Sequence, residues 1–177
     1  MLKKFFLILT LILIPLTANA ETYVDPKGRF QFEIPPGWTL ATEKEKIEMK
    51  LVEPVDVILF NDSPNFIAPI SITLTEDDSL PQIASATEAE LKTYAGTWAQ
   101  SLVKEDPNPL ITSVKTPMGN GIAVFAGDDS FFYLFFRTSK NNKLIEVNQM
   151  TELGTSRANS KLIKEAFTKT IFSIEIF

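Results

Sequence analysis

The chain contains no cysteine and no histidine among its 177 residues. The first absence excludes disulfides, a thiolate nucleophile, iron–sulfur clusters and cysteine zinc sites. The second excludes a Ser-His-Asp triad and imidazole metal ligation. Glycine is also sparse, at seven residues, and no glycine-rich phosphate loop is present. Gly119-Asn120-Gly121 is too short for a dinucleotide fingerprint and precedes a strand pattern instead of a helix. What remains is a chain that is 45% hydrophobic and 22% charged. That is apolar enough to bury a core and of a length that fits one domain.

The amino terminus reads as an address. Lys3 and Lys4 precede Phe5 to Leu16, an almost unbroken apolar run, and Ala18-x-Ala20 supplies the small residues of a signal-peptidase site. A membrane-spanning helix needs about 20 apolar residues, so this run is too short to cross and stay. The expectation is a secretory signal over residues 1–20, cleavage between Ala20 and Glu21, and a single domain over 21–177. The mature chain is then periplasmic or secreted, with no stable membrane insertion. The signal carries two lysines and no acid, which leaves 15 basic and 22 acidic side chains, a net charge of −7. Such a field disfavours nucleic acid and anionic lipid surfaces.

Patterning predicts the elements. Phe30, Phe32 and Ile34 alternate with polar residues as in a strand with one buried face, and Pro35-Pro36-Gly37 ends it. Ile47, Met49 and Leu51 alternate within a Glu/Lys-rich stretch, read here as a strand over Glu43 to Leu51. Val55 to Phe60 and Ile70 to Leu74 form a further strand pair around the turn residues Asn61 to Asn65. From Thr87 to Lys104 the period changes. Leu91, Tyr94, Ala95, Trp98 and Leu102 make one helical stripe, with Thr87 and Glu90 placed as a capping box. Leu110 to Thr116, Ile122 to Ala126, Phe131 to Thr138 and Leu144 to Met150 are four short strands of a meander. Gly119-Asn120-Gly121, Gly127-Asp128-Asp129 and Asn141-Asn142 are the expected turns. Phe131 to Phe136 is apolar on both faces, as a central strand covered on two sides would be. Asn159 to Ile171 returns to helical spacing, followed by a short tail at Ile174 and Ile176. The fold class is α+β: an antiparallel sheet of about seven or eight strands with two main helices packed on it.

No set of residues forms catalytic machinery. Ser101-x-x-Lys104, Lys115-Thr116 and Ser139-Lys140-Asn141 echo the motifs of penicillin-binding enzymes. Their order is reversed, however, and Pro117 stands where that glycine belongs. Glu76, Asp77 and Asp78 cluster, but without the spacing of a calcium loop, so they read as a solvated loop start. Asp128 and Asp129 at a hairpin tip are turn residues, too exposed for a raised pKa. No cofactor or metal is expected. Trp38, directly after Pro-Pro-Gly, is the candidate partner-binding residue: either it caps the sheet core or it is a half-exposed anchor.

The segment Tyr23 to Trp38 (YVDPKGRFQFEIPPGW) resembles the opening of the PsbP-like family, with its aromatic, glycine, Phe-x-aliphatic-Pro and tryptophan progression. Val55 to Asp62 (VDVILFND) resembles the strand that follows in that family. A late aromatic strand and a helix ending near Phe172-Ser173 are similar as well. The resemblance implies a sandwich around an antiparallel sheet and a non-enzymatic accessory role. The family includes extrinsic subunits of the oxygen-evolving photosystem, and relatives of the fold include a binder of a small nuclear GTPase. It carries over no functional residue, and the histidines of metal sites proposed in some members have no counterpart here. The function expected is an exported accessory protein that binds another, unidentified protein. The alternative is a small-molecule or lipid carrier with an apolar pocket between sheet and helices, drawing on Phe131, Phe132, Phe135 and Phe136.

Amino-terminal sequencing of the exported protein should return a chain that begins at Glu21. Recovery of full-length protein in the membrane pellet would contradict the cleavage.

Overall fold

The computed structural model describes residues 21–49, 55–61, 69–102, 109–127 and 131–177. The signal segment with Ala20, the turn residues 62–65 and Asp128-Asp129 lie outside them. The strands are β1 (Thr22–Val24), β2 (Phe30–Glu33), β3 (Trp38–Leu40), β4 (Val57–Asn61), β5 (Ile70–Glu76), β6 (Leu110–Thr116), β7 (Gly119–Gly127), β8 (Phe131–Lys140), β9 (Lys143–Glu152) and β10 (Glu175–Ile176). The helices are α1 (Glu43–Glu48), α2 (Glu88–Leu102) and α3 (Leu153–Ser173), with a 3-10 turn at Ile83–Ser85. Seven strands form the main sheet in the order β3-β4-β5-β9-β8-β7-β6, and β1-β2-β10 form a smaller one. Every pairing is antiparallel. The α+β reading therefore holds.

The β6–β9 meander forms as its pattern dictates. Asn141 and Asn142 both adopt positive φ, 53° and 59°, as a two-residue hairpin between β8 and β9 requires. The preceding hairpin turns one step earlier than expected, at Pro117-Met118, with Thr116 paired to Gly119. Gly119 and Gly121 belong to β7 itself. A Cβ on Gly119 would lie 2.4 Å from the Ala84 carbonyl oxygen, and one on Gly121 would lie 2.3 Å from the Phe136 ring. Both glycines answer close approach of backbone or ring, and Gly119 also takes positive φ, 124°, as the chain leaves the turn.

A second correction concerns Glu43 to Leu51. Residues 43–48 are helical, and Thr42 closes a capping box with Glu45. The Thr42 hydroxyl accepts from the Glu45 N–H at 3.3 Å, and the Glu45 carboxylate accepts from the Thr42 N–H at 2.7 Å. Two orphan donors are thereby satisfied, which outweighs the alternation of Ile47 and Met49. Ile47 is in fact exposed. The same box, formed by Thr87 and Glu90, opens α2 as expected.

The sheet's two faces differ. One is sealed by α3 and the small sheet. Phe30, Phe32, Leu134, Phe136, Val147 and Ile163 are among the buried residues that meet there. Along α3, Ile163, Ala166, Phe167, Thr170, Ile171 and Ile174 are buried, the i, i+3, i+4, i+7 spacing of one helical stripe. Ile176 of β10 pairs with Phe30, so the expected tail is a strand that closes the small sheet. The other face carries α2 and the 3-10 turn, centred on Ile83, Leu91, Trp98, Ile122 and Val124.

An ionic clamp ties the two sheets together. Arg29 donates from Nε to Asp25 Oδ2 at 2.9 Å and from Nη2 to Asp25 Oδ1 at 2.8 Å. It also pairs with Asp56, whose second oxygen accepts the Leu74 N–H at 2.7 Å. Asp25 lies in the β1–β2 turn, Asp56 precedes β4 and Leu74 is in β5. Asp25 is 4% exposed. The Arg29 hydrogen bonds hold its carboxyl below the ordinary value of 3.8, against burial, which acts the other way.

A carboxylate with a depressed folded pKa adds stability that is present above its unfolded pKa and is lost as pH falls through the folded one. Asp25→Asn should therefore cost about 1–3 kcal/mol at neutral pH, since it leaves Arg29 donors poorly matched in a buried site. In urea melts the gap from wild type should narrow as pH drops below 3.8. A gap that stays constant down to the acid limit would contradict this.

Candidate functional site

The less covered face of the main sheet presents the groups able to bind something. On β8 the alternation sends Leu134 and Phe136 into the sealed core and Tyr133, Phe135 and Arg137 to the α2 side. Register then sets their neighbours: Met150 opposite Tyr133, Asn148 opposite Phe135 and Glu146 opposite Arg137. Thr73 of β5 stands opposite Glu146 from the other side. Between these strands, α2 and the 3-10 turn lies a cleft of about 710 Å³ whose lining includes Leu80, Tyr94, Trp98, Phe135, Arg137 and Asn148.

An aromatic ladder on β8 leads into the cleft through Phe135 and ends in an ion pair. Phe131 and Tyr133 have ring centroids 6.3 Å apart, and Tyr133 and Phe135 are stacked at 6.0 Å. Trp98 meets Phe135 edge-on at 6.4 Å. The Arg137 guanidinium lies 4.6 Å from the Trp98 ring centroid, the geometry of a cation–π contact. Arg137 donates from Nε to Glu146 Oε1 at 2.9 Å and pairs with the same oxygen through Nη2. Both side chains are about one quarter exposed, so the pair is neither buried nor fully solvated. This arrangement offers flat apolar surface, a planar donor fork and a carboxylate. Its cation is matched by Glu146. The arrangement suits recognition through flat apolar contact and directed hydrogen bonds.

The residues singled out in the sequence fall elsewhere or take structural roles. Trp38 is 5% exposed and lies in the sealed core, so it does not offer an exposed anchor. Positive φ at Gly37 turns the chain into β3, and the indole joins the core that contains Phe30 and Phe32. Glu21 contributes its carbonyl to the Ile34 N–H at 2.7 Å, which ties it to the end of β2. Asp77 accepts from the backbone N–H and the hydroxyl of Ser79, both at 2.7 Å, and Asp78 accepts from Asn142 at 2.8 Å. These two carboxylates brace turns. Ser139 is fully buried and holds the 3-10 turn, accepting from the Ile83 N–H at 2.9 Å and donating to the Pro81 carbonyl. Lys104 of the Ser101-x-x-Lys104 match lies outside the described residues. Of the four phenylalanines suggested for a carrier pocket, Phe135 lines the cleft, while Phe136 is core and Phe132 packs against it.

Arg137 and Glu146 were not singled out from the sequence. The available signal was a lone arginine closing the aromatic run of β8 and a glutamate in an otherwise apolar stretch of β9. Only the register shows that they meet.

No family model matches the chain, and no curated protein does. Solved structures do match. The solution structure of cyanobacterial PsbP (CyanoP) from Synechocystis sp. PCC 6803 is similar with a TM-score of 0.52 at 16% identity, over 89% of this chain and 92% of that one. LpqN, described as involved in cell envelope biogenesis of Mycobacterium tuberculosis, is similar with a TM-score of 0.54 at 7% identity, over 89% and 85%. A protein from Bacteroides thetaiotaomicron has a TM-score of 0.54 at 10% identity, over 89% of this chain and 48% of that one. At such identities the likeness is one of fold: this chain has the PsbP-like fold.

Proposed function

We propose that this PsbP-like domain is an exported, non-enzymatic accessory protein that binds another protein through the cleft between α2 and the main sheet. The observation that carries the reading is the partly exposed Phe135–Arg137 pair on the half-covered face, held in place by the buried Trp98 beneath it. Tryptophan, tyrosine and arginine dominate the energetics of protein interfaces, because each combines a large flat area with a directed polar group. Tyr94 and the half-exposed Met150, at 50%, extend the same surface. Export is supported by the basic start, the short apolar run and Ala18-x-Ala20, and by β1 beginning one residue past the expected cleavage. Among the described residues no helix is long and apolar enough to cross a membrane.

One observation favours the carrier reading. A cleft of about 710 Å³ falls within the roughly 300–1,000 Å³ typical of small-molecule sites. The two readings separate with Thr97→Trp. Thr97 is an exposed α2 residue on the cleft wall, so an indole there blocks the opening and leaves the core intact. The mature wild type should recover a protein partner from native periplasm that Thr97→Trp fails to recover. Equal recovery by both would contradict the site. A small molecule or lipid extracted in stoichiometric amount from the wild type and absent from Thr97→Trp would favour the carrier instead.

A further inference from the structure

The main sheet ends in an edge that no described strand covers. The other edge strands are short: β3 and β1 have three residues each and β10 has two. β6 has seven and pairs only with β7. Its hairpin closes with Thr116 paired to Gly119 across a two-residue turn, and such a closing pair is hydrogen-bonded. Antiparallel alternation then turns the N–H and C=O of Thr112, Val114 and Thr116 toward β7, and those of Ile111, Ser113 and Lys115 outward. The Ser113 carbonyl does not enter the ladder; it accepts a long 3.3 Å bond from the Thr112 hydroxyl. Among the described residues, no strand takes up this outward row of backbone groups.

A groove runs beside that row, on the opposite flank of α2 from the aromatic cleft. It measures about 420 Å³, and its lining includes Leu91, Gly96, Ile111 and Ile122 together with Glu88 and Lys92, which neutralise each other in an ion pair. A Cβ built on Gly96, which lines the groove, meets nothing within 4 Å, so there is open space at that point of its wall. An extended chain laid along β6 would bond to its backbone and send alternate side chains into the groove, as in strand-addition recognition between an edge strand and a helix.

Charge selects the occupant. Lys115 lies on the groove side of the edge, exposed, opposite Asn120. Among the described residues it enters no ion pair. β6 contains no acid of its own, so a second copy pairing edge to edge would leave this lysine unmatched. We infer that β6 is a strand-addition site for an extended segment of a partner protein that carries an apolar and an acidic side chain four positions apart. The apolar side chain enters the groove beside Gly96 and the acidic one meets Lys115. The inference rests on the protein-binding reading above but uses a separate surface.

The test is an NMR titration of the mature protein with a capped peptide of the same seven-residue length as β6. The peptide alternates valine and threonine and carries a leucine and a glutamate four apart. The amides of Ile111, Ser113 and Lys115 should shift and exchange more slowly. Replacing the peptide's glutamate by lysine should weaken binding about tenfold or more, equivalent to 1.4 kcal/mol. Gly96→Leu, which fills the groove without a clash, should weaken it as much. Ser113→Pro should also abolish protection, since it removes an outward donor at an edge position that tolerates proline. No shift at millimolar peptide overturns the inference, as does unchanged binding by Gly96→Leu. Concentration-dependent self-association through the β6 amides would show a second copy as the occupant and overturn it too. Shifts confined to Phe135 and Arg137 would refute the edge site and leave the cleft reading standing. Loss of the cleft reading through Thr97→Trp would leave the β6 response unaffected.

Discussion

The main sheet has two faces to cover, and its helices divide between them unequally. α3 crosses one face and the small sheet closes beneath it, so that Phe30, Phe32, Phe136 and Phe167 are buried together. The opposite face has α2 over β6 and β7 and a 3-10 turn at the end of β8. The strip of β5, β9 and β8 between them is left half covered. Buried area supplies most of the stability, at about 25 cal/mol per Å² of apolar surface. The sealed face therefore carries the fold. The residues on the other can be chosen for recognition. Phe135, Arg137 and Glu146 occupy that strip, with Tyr94 of α2 beside them in the cleft. So does the exposed Met150, which would be an odd choice for a face that had only to be stable.

With no cysteine to staple it, the sealed face depends on how the small sheet is attached. β1 and β10 both pair with β2, which brings the two ends of the described chain to one place. The Phe177 N–H donates to the Arg29 carbonyl at 3.0 Å. Arg29 therefore serves twice: its backbone receives the carboxyl-terminal residue, and its side chain joins Asp25 to Asp56. A half-buried guanidinium with two carboxylates is costly to break, because removing it leaves like charges facing each other with little water. Phe30 and Phe32, on the same strand, supply the apolar part of the joint.

Local patterns in the sequence were sufficient for the meander, for α2 with its capping box and for the α+β class. In each case the period and the terminal signal agreed. They were insufficient where two signals conflicted. Thr42 and Glu45 form the same box as Thr87 and Glu90, yet the alternation of Ile47, Met49 and Leu51 pointed to a strand. The cap decides, because Ile47 has no core to face. The glycines of β7 misled for a different reason: their requirement comes from Ala84 and Phe136, which are distant in sequence. α3 begins at Leu153, six residues before its apolar stripe becomes regular. The division into two sheets and the Arg137–Glu146 pair depend on non-local register, which no window of sequence contains. For Trp38 the pattern left two roles open, a cap on the sheet core or an anchor, and the fold buries it.

The comparison that matters for function is therefore between faces, not between residues. A soluble paramagnetic agent added to the mature protein measures it directly, because relaxation enhancement reports how near solvent approaches each side chain. The two-faced account predicts strong enhancement at the Tyr94 and Phe135 rings and the Met150 methyl, with little at Phe136, Val147 and Ile163. Equal protection of both sets would show that the α2 side is sealed as well and would contradict a binding face there.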